Sequence, residues 1–293
     1  MRKEGIKNFF YNYVQPLLVN KKSLIGIFIL IFFILMATIG PLIVPLDMNS
    51  NFAGRYQKPS LKHLFGTDYF GVDIFQQIVH GSRSVISLTM LASFFAVLIG
   101  TVIGVARGYL EGVAGRLVDA IIMVFLVIPS FPALLILAAI FMNLNLNVVE
   151  ISLLVAIWLW APLSKQISAQ VLSLKSKEFV EASKMLNMPL RYILFSDIVK
   201  LLVPYIFINF VMQLKGAMEF SVGLMFLGLA KFDPTNWGIM LNYALYQAGA
   251  LYTTKGFHYI FFIILNIVLL IYGGILLSQG VEEVFNPRLR GDE

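Results

Sequence analysis

The chain contains no cysteine, and that absence removes disulfides, thiolate nucleophiles and cysteine-based metal sites together. Histidine is scarce. His63, His80 and His258 are the only three, and no two stand four residues apart, the spacing that would set both imidazoles on one helical face. No bound metal or cofactor is expected of this chain. Charged residues make up only 13% of it. There is no G-x-x-x-x-G-K-[ST] loop for nucleotide phosphates, no H-E-x-x-H helix and no nucleophile beside a base motif. Nor is there a cluster of intramembrane acids of the kind proton-coupled pumps need. The chain is not expected to be an enzyme, and any energy it uses must come from another protein.

What the sequence has in abundance is hydrocarbon. Hydrophobic residues form 59% of it, 25 of them Phe, and the mean hydropathy is +0.83. A soluble core cannot hide that much apolar surface. Runs of about 20 residues, the length that crosses a ~30 Å hydrocarbon core, lie at 23–44, 85–106, 117–142, 148–163, 201–229 and 257–277. They predict an all-α membrane protein, a polytopic bundle of about six transmembrane helices. The net charge of +6 follows the membrane rather than one face or tail, which argues against nucleic acid as a partner.

Charge also orients the bundle. Arg2, Lys3, Lys7, Lys21 and Lys22 precede the first run, and the positive-inside rule places them in the cytoplasm. Six crossings then put Arg107, Arg116, Lys165, Lys175, Lys177, Lys184, Arg191, Arg288 and Arg290 inside. Arg55, Lys58, Lys62, Arg83, Lys231 and Lys255 stay outside. Both termini are therefore expected in the cytoplasm of a multi-pass cell-membrane protein. The chain divides into a cytoplasmic segment 1–22, a first helix 23–44, an external loop 45–84, a core 85–280 with a cytoplasmic loop 164–200, and a tail 281–293. The first run outlasts a signal peptide and ends in Pro41 and Pro45 without a small-residue cleavage pattern, so it is expected to remain as a helix. Trp158, Trp160 and Trp237 fall near run ends and are read as interfacial anchors.

Two segments between the runs carry more than a linker needs. In the external loop, Gly66 and Gly71 suit turns, and Asp68 and Asp73 can cap short helices. On the cytoplasmic side, 178–204 is basic and amphipathic. Ser176 is a candidate N-cap, and Glu178 and Glu181 suit the positive end of a helix. Asn187 tolerates the left-handed conformation of a helix end, and Pro189 forbids continuation, so a short helix, a bend and a second helix are expected. Phe179, Ala182, Leu186 and Met185 form an apolar stripe at helical spacing. Each large apolar side chain buried in a partner's groove is worth roughly 1.5–3 kcal/mol before ordering costs. The alternative is a helix lying on lipid headgroups, with Lys175, Lys177, Lys184 and Arg191 on phosphates.

The order Glu181, Ala182, Ser183, Asn187, Ile198 and Pro204 resembles the EAA loop by which membrane subunits of ABC importers dock their ATPases. Ser183 stands for the third small residue and Asn187 for the usual glycine, while Val199-Lys200 replaces Leu-Pro. The stretch EFSVGLMFLGLAKFDPTNWGIML from Glu219 is similar to a second run of the same family, EAxLSFLGLGxxPPTPSWGxML. GTDYFGVD resembles its GTDxxGRD, with Val72 in place of Arg, and Asp119, Pro129 and Pro132 echo a further pattern in the third run. The resemblance is to permeases of the dipeptide and oligopeptide family of ABC importers. It implies that Phe179, Glu181, Ala182, Ser183, Leu186, Asn187 and Pro189 couple to ATPases. It also implies a second homologous permease, two ATPase subunits that use ATP and Mg, an extracytoplasmic substrate-binding protein, and a peptide cargo. The same family includes oligosaccharide and nickel importers.

Glu219 lies within an apolar run, where an acid costs about 2.5–3.5 kcal/mol at a helix centre. It either lines the pathway or steadies the paired permease, or it snorkels or pairs with Lys215 four residues earlier. Pro129 and Pro132 serve either packing geometry or a hinge. Outside this family, the rival reading is a stand-alone secondary transporter, which would show inverted repeats and broken spans holding coupling ions.

Overall fold

The computed structural model describes residues 15–141, 146–228 and 233–285. Arg2, Lys3, Lys7, Met142, Leu229, Lys231, Arg288, Arg290 and most of the 281–293 tail lie outside them. Helix α1, Lys21–Thr38, is capped by the Asn20 side chain and followed by a turn at Gly40–Ile43. Then come α2, Ile74–Tyr109, α3, Gly112–Val127, and α4, Ser130–Phe141. Helix α5, Val148–Lys175, starts in a capping box between Asn147 and Glu150. The short α6, Glu178–Met185, leads through a wider-wound stretch at Ile193–Val199 into α7, Lys200–Phe226. Finally α8, Trp237–Asn242, folds back beside the end of α7, and α9, Phe257–Phe285, completes the bundle. Among the described residues, five helices are long and apolar enough to cross a membrane, or up to six spans if α3 and α4 count as one.

The expected third crossing is not one straight helix. Helices α3 and α4 meet at 89°. Ile128 is extended, at φ −67 and ψ 126, because a residue before proline is pushed out of the helical region, and α4 restarts just beyond Pro129. Other boundaries move outward. Helix α2 begins eleven residues before 85, so its first turns occupy the end of the supposed loop 45–84. Helix α5 continues through Pro162 to Lys175, so the segment 164–200 opens with its last three turns. Pro162 does not end it.

Backbone proximity organises the bundle. Lipid tails are as apolar as leucine, so helices associate through close packing of small residues rather than by hiding oil from water. On α2, Ala92, Ala96, Gly100, Gly104 and Gly108 recur every fourth residue, and α5 is its most extensive neighbour. A Cβ on Gly104 would lie 2.7 Å from the Ser164 carbonyl oxygen, and one on Gly108 2.5 Å from Val171. Gly100 likewise abuts Trp160, so the two helices run parallel. Helices α1 and α9 are antiparallel, with Gly26 against Leu277 and Gly280 against Ser23. Because α2 and α5 are parallel, the loop entering α2 and the helix α6 leaving α5 lie at opposite ends of the molecule.

Candidate functional site

Helix α6 projects from the end of α5. Ser176 does not cap it: its hydroxyl donates back to the Ser173 carbonyl at 3.1 Å, so it closes α5 instead. The extended Lys177 takes the cap position, its carbonyl accepting from Val180 and Glu181 at 3.0 and 3.1 Å. The far end is a Schellman turn. Asn187 sits at φ +52, its N–H donates to Lys184, and the Met188 N–H donates to Ser183, both at 3.0 Å. Pro189 then opens the short turn Leu190–Tyr192.

This geometry sorts the side chains. Val180 is fully buried and packs with Ile167, Val171, Ile193 and Ile198. Its neighbour Phe179 is 44% exposed, and Met185 and Leu186 are 81% and 75% exposed. Glu181, Ala182, Asn187 and Pro189 are exposed too, and Ser183 is half-buried. The structure thus brings the residues drawn from the sequence onto one outward surface. Leu190 and Phe195, which follow in the chain, are also exposed, and Val180 anchors the helix. The sequence reading missed all three. Only their apolar character marked them, in a chain where that character is everywhere.

Polar contacts brace the same end. Lys175 at the end of α5 donates to the Tyr109 carbonyl at 2.9 Å and to Glu111 at 2.5 Å, and lies 5.0 Å from the Tyr109 ring centre. The Lys175 ammonium, with Lys184 more distant, holds the Glu111 carboxyl below its ordinary range. One oxygen of Asp119 meets Lys165 at 2.9 Å and the Arg107 Nε at 3.3 Å, tying α3 to α5 and α2. Asp119, drawn from the third run, is therefore a three-helix fastener.

Glu219 lies on α7 with its carboxylate 3.9 Å from Lys215. It also borders a groove of about 330 Å3 whose other walls include Val222, Phe226, Leu241, Ile264 and Ile267. The pair is loose and both side chains are nearly half exposed.

The opposite end is built differently. Asp73 caps α2 by accepting from the Gln76 N–H at 3.0 Å, and it meets His63 at 2.8 Å. Asp68 caps no helix. It is buried and accepts from the N–H groups of Phe70 and Val72 and from Gln77, at 2.8 to 2.9 Å. Burial nevertheless pushes its carboxyl up. Gly66 and Gly71 have φ of +79 and +77, as the turn reading required. Trp237 is no interfacial anchor. It is fully buried, edge-on to Phe33, with its indole N–H on the Ile78 carbonyl at 2.9 Å. Trp160, 4% exposed, packs against Phe125. Nothing in a hydropathy profile separates a buried ring from one at the membrane surface.

Comparison with known proteins agrees with this architecture. The family model described as binding-protein-dependent transport system inner membrane component matches residues 96–291, and one described as the N-terminal TM domain of oligopeptide transport permease C matches residues 11–59. The dipeptide transport system permease protein DppC of Alkalihalophilus pseudofirmus is 30% identical over 92% of this chain and 87% of its own length. That of Bacillus subtilis is 28% identical over 92% and 83%. The oligopeptide transport system permease protein OppC of Haemophilus influenzae is 29% identical over 76% and 72%. With five or six apolar spans among the described residues and matches of this extent, the chain is a multi-pass membrane protein that belongs to the family of binding-protein-dependent transport system inner membrane components.

Proposed function

We propose that this chain is one permease of an ATP-driven importer of di- or oligopeptides, forming half of the pathway beside a second, homologous permease. Two ATPase subunits, which use the ATP and Mg, grip the coupling helices of the two permeases, α6 in this chain, from the cytoplasm, where both termini also lie. A binding protein delivers cargo on the other side, and membrane lipid surrounds the rest. The observation that carries this reading is the outward apolar face of Phe179, Met185 and Leu186 on a helix held from behind by fully buried Val180. An apolar knob with a rigid back transmits displacement, whereas a helix resting on headgroups needs neither. The Schellman turn at Asn187 and the Lys175–Glu111 contact join this knob to the helices behind it. The peptide cargo is carried over from the names of the relatives. In this reading Glu219, which is loosely paired with Lys215 and borders a groove, lines the pathway or steadies the paired permease. Moving a two-state pathway from 1:99 to 99:1 takes about 5.5 kcal/mol of differential binding, which ATPase closure on α6 would supply.

The test is purification of the tagged protein from its native membrane, comparing wild type with the double variant Glu181→Lys, Leu186→Asp. ATPase subunits identified by mass spectrometry with the wild type and lost with the variant are expected. Wild type that purifies intact without any ATPase would overturn the coupling role.

A further inference from the structure

The loops at the end remote from α6 carry an uneven charge. Segments 45–67 and 248–258 meet through the Tyr56 hydroxyl on the Ala248 carbonyl at 2.8 Å and the His258 Nε2 on the Thr67 carbonyl at 3.1 Å. Their exposed charged side chains are Arg55, Lys58, Lys62 and Lys255 against a single carboxylate, Asp47. None of the four cations has a carboxylate partner among the described residues. The acids nearby in sequence, Asp68 and Asp73, are buried and spent on backbone and side-chain donors, so they do not neutralise the surface.

The patch is also rigid. The Arg55 guanidinium lies 4.1 Å from the Tyr69 ring centre and 5.4 Å from that of Phe52, contacts that hold it over the two rings on an exposed residue. The next residue, Tyr56, has φ +52, a conformation that costs a bulky side chain energy and survives only where surroundings over-determine it. Here the Tyr56 N–H donates to the Asp68 carbonyl at 3.1 Å, Asn51 to Phe70 at 2.7 Å, and Thr67 to Gln57 at 3.1 Å. Phe52, Leu61 and Leu64 stand exposed among the cations. Rigid Arg beside aromatic and aliphatic side chains is the composition of a protein-binding hot spot.

We infer that this basic, aromatic cap is a docking surface for an acidic face of the cargo-delivering binding protein, with Arg55 at its centre and Lys58, Lys62 and Lys255 steering the approach. This rests on the importer reading and adds the polarity of the contact and the residues that make it. Steering cations act chiefly on the association rate and on its salt dependence.

The experiment uses the complete importer in nanodiscs of phosphatidylcholine and the host's purified peptide-binding protein, titrated by surface plasmon resonance from 50 to 300 mM salt. For Lys58→Glu, Lys62→Glu together, and separately for Arg55→Glu, the expected result is an association rate at least about ten-fold slower at low salt and a shallower salt dependence. Basal ATPase activity should not change. The milder Lys58→Gln, Lys62→Gln pair should fall between, and its unchanged thermal unfolding would exclude misfolding as the cause. Wild-type affinity and salt slope in both charge-reversal variants would overturn the docking surface while leaving the importer intact. An effect confined to nanodiscs containing phosphatidylglycerol would assign the cations to lipid headgroups and also overturn it. Failure of the wild-type importer to bind the protein at any salt would remove the importer reading itself.

Discussion

The two ends of the bundle spend their apolar residues in opposite ways. At the cap, large rings are buried and polar groups are paired inside: Trp237 donates to Ile78, Asn236 to Ser84 at 3.1 Å, and Gln77 to Asp68. At the α6 end, Phe179, Met185, Leu186, Leu190 and Phe195 are left outside, and one fully buried side chain, Val180, ties the helix down. A buried network with every partner satisfied is stiff and costly to disturb, while an exposed apolar patch is free energy not yet used. At the cap the chain buries its own Trp237 and leaves Phe52, Leu61 and Leu64 outside among cations, whereas the apolar side chains of α6 stand outside with only Val180 turned in.

The sharpest way to break this contrast is to replace one large apolar side chain at each end. Trp237→Ala should cost about 3–5 kcal/mol, read as a large fall in the thermal midpoint of the purified protein. Leu186→Asp should shift that midpoint by no more than about 0.5 kcal/mol equivalent, as exposed substitutions do, yet abolish peptide-stimulated ATP hydrolysis of the assembled importer. Equal destabilisation by both would show that α6 is packed against its own chain and dissolve the comparison.

Val180→Ala probes the joint between the two behaviours. It should destabilise by about 1–3 kcal/mol and also weaken coupling, because an α6 free to tilt transmits less. If stability falls while coupling holds, the anchor is packing alone. A smaller effect is expected at Asn187. Replacement by Gly suits φ +52 and should leave coupling and stability near wild type, whereas Asn187→Val should cost about 1–2 kcal/mol, the penalty of a side chain in the left-handed region.

The smallest effect is a difference in acid response. Asp68 has its carboxyl raised by burial, so its contribution to the cap is full below the ordinary carboxylate pKa and fades as pH rises through the raised value. Glu111 is lowered by Lys175, so its contribution is full above the ordinary value and is lost as pH falls through the lowered one. Hydrogen exchange, corrected for intrinsic rates, should therefore show residues 66–77 more protected and 109–116 less protected on acidification through the carboxylate range. Asp68→Asn and Glu111→Gln should each flatten one of these responses. The same sign at both ends would refute the assignment.

Much of the α6 site was legible because it rests on local backbone chemistry. Asn187 before a proline-led turn announced the left-handed helix end, and Glu178 and Glu181 announced the first turn of the helix. What could not be read was which of two adjacent residues faces inward. Phe179 and Val180 are both apolar, and the larger one is outside. Ser176 misled for a related reason: its hydroxyl suits a cap, but α5 extends far enough to claim it. Pro129 offered either a packing feature or a hinge within one third crossing, and the division into two helices at 89° appeared only in the structure.

Apolar composition and run length by themselves determined that the chain is a helical membrane protein with about six spans, because in lipid every backbone group must find its partner within its own helix. Glycine, aspartate and asparagine placed several turns and caps, because their conformational freedom and hydrogen bonds act within a few residues. Only the tertiary structure decided that Trp237 is buried, that α2 and α5 run as parallel neighbours on a glycine seam, and that Val180 rather than Phe179 holds α6. The reason is physical. Where the solvent is as apolar as the core, hydrophobicity does not tell inside from outside, and close packing of backbones and buried hydrogen bonds makes that choice.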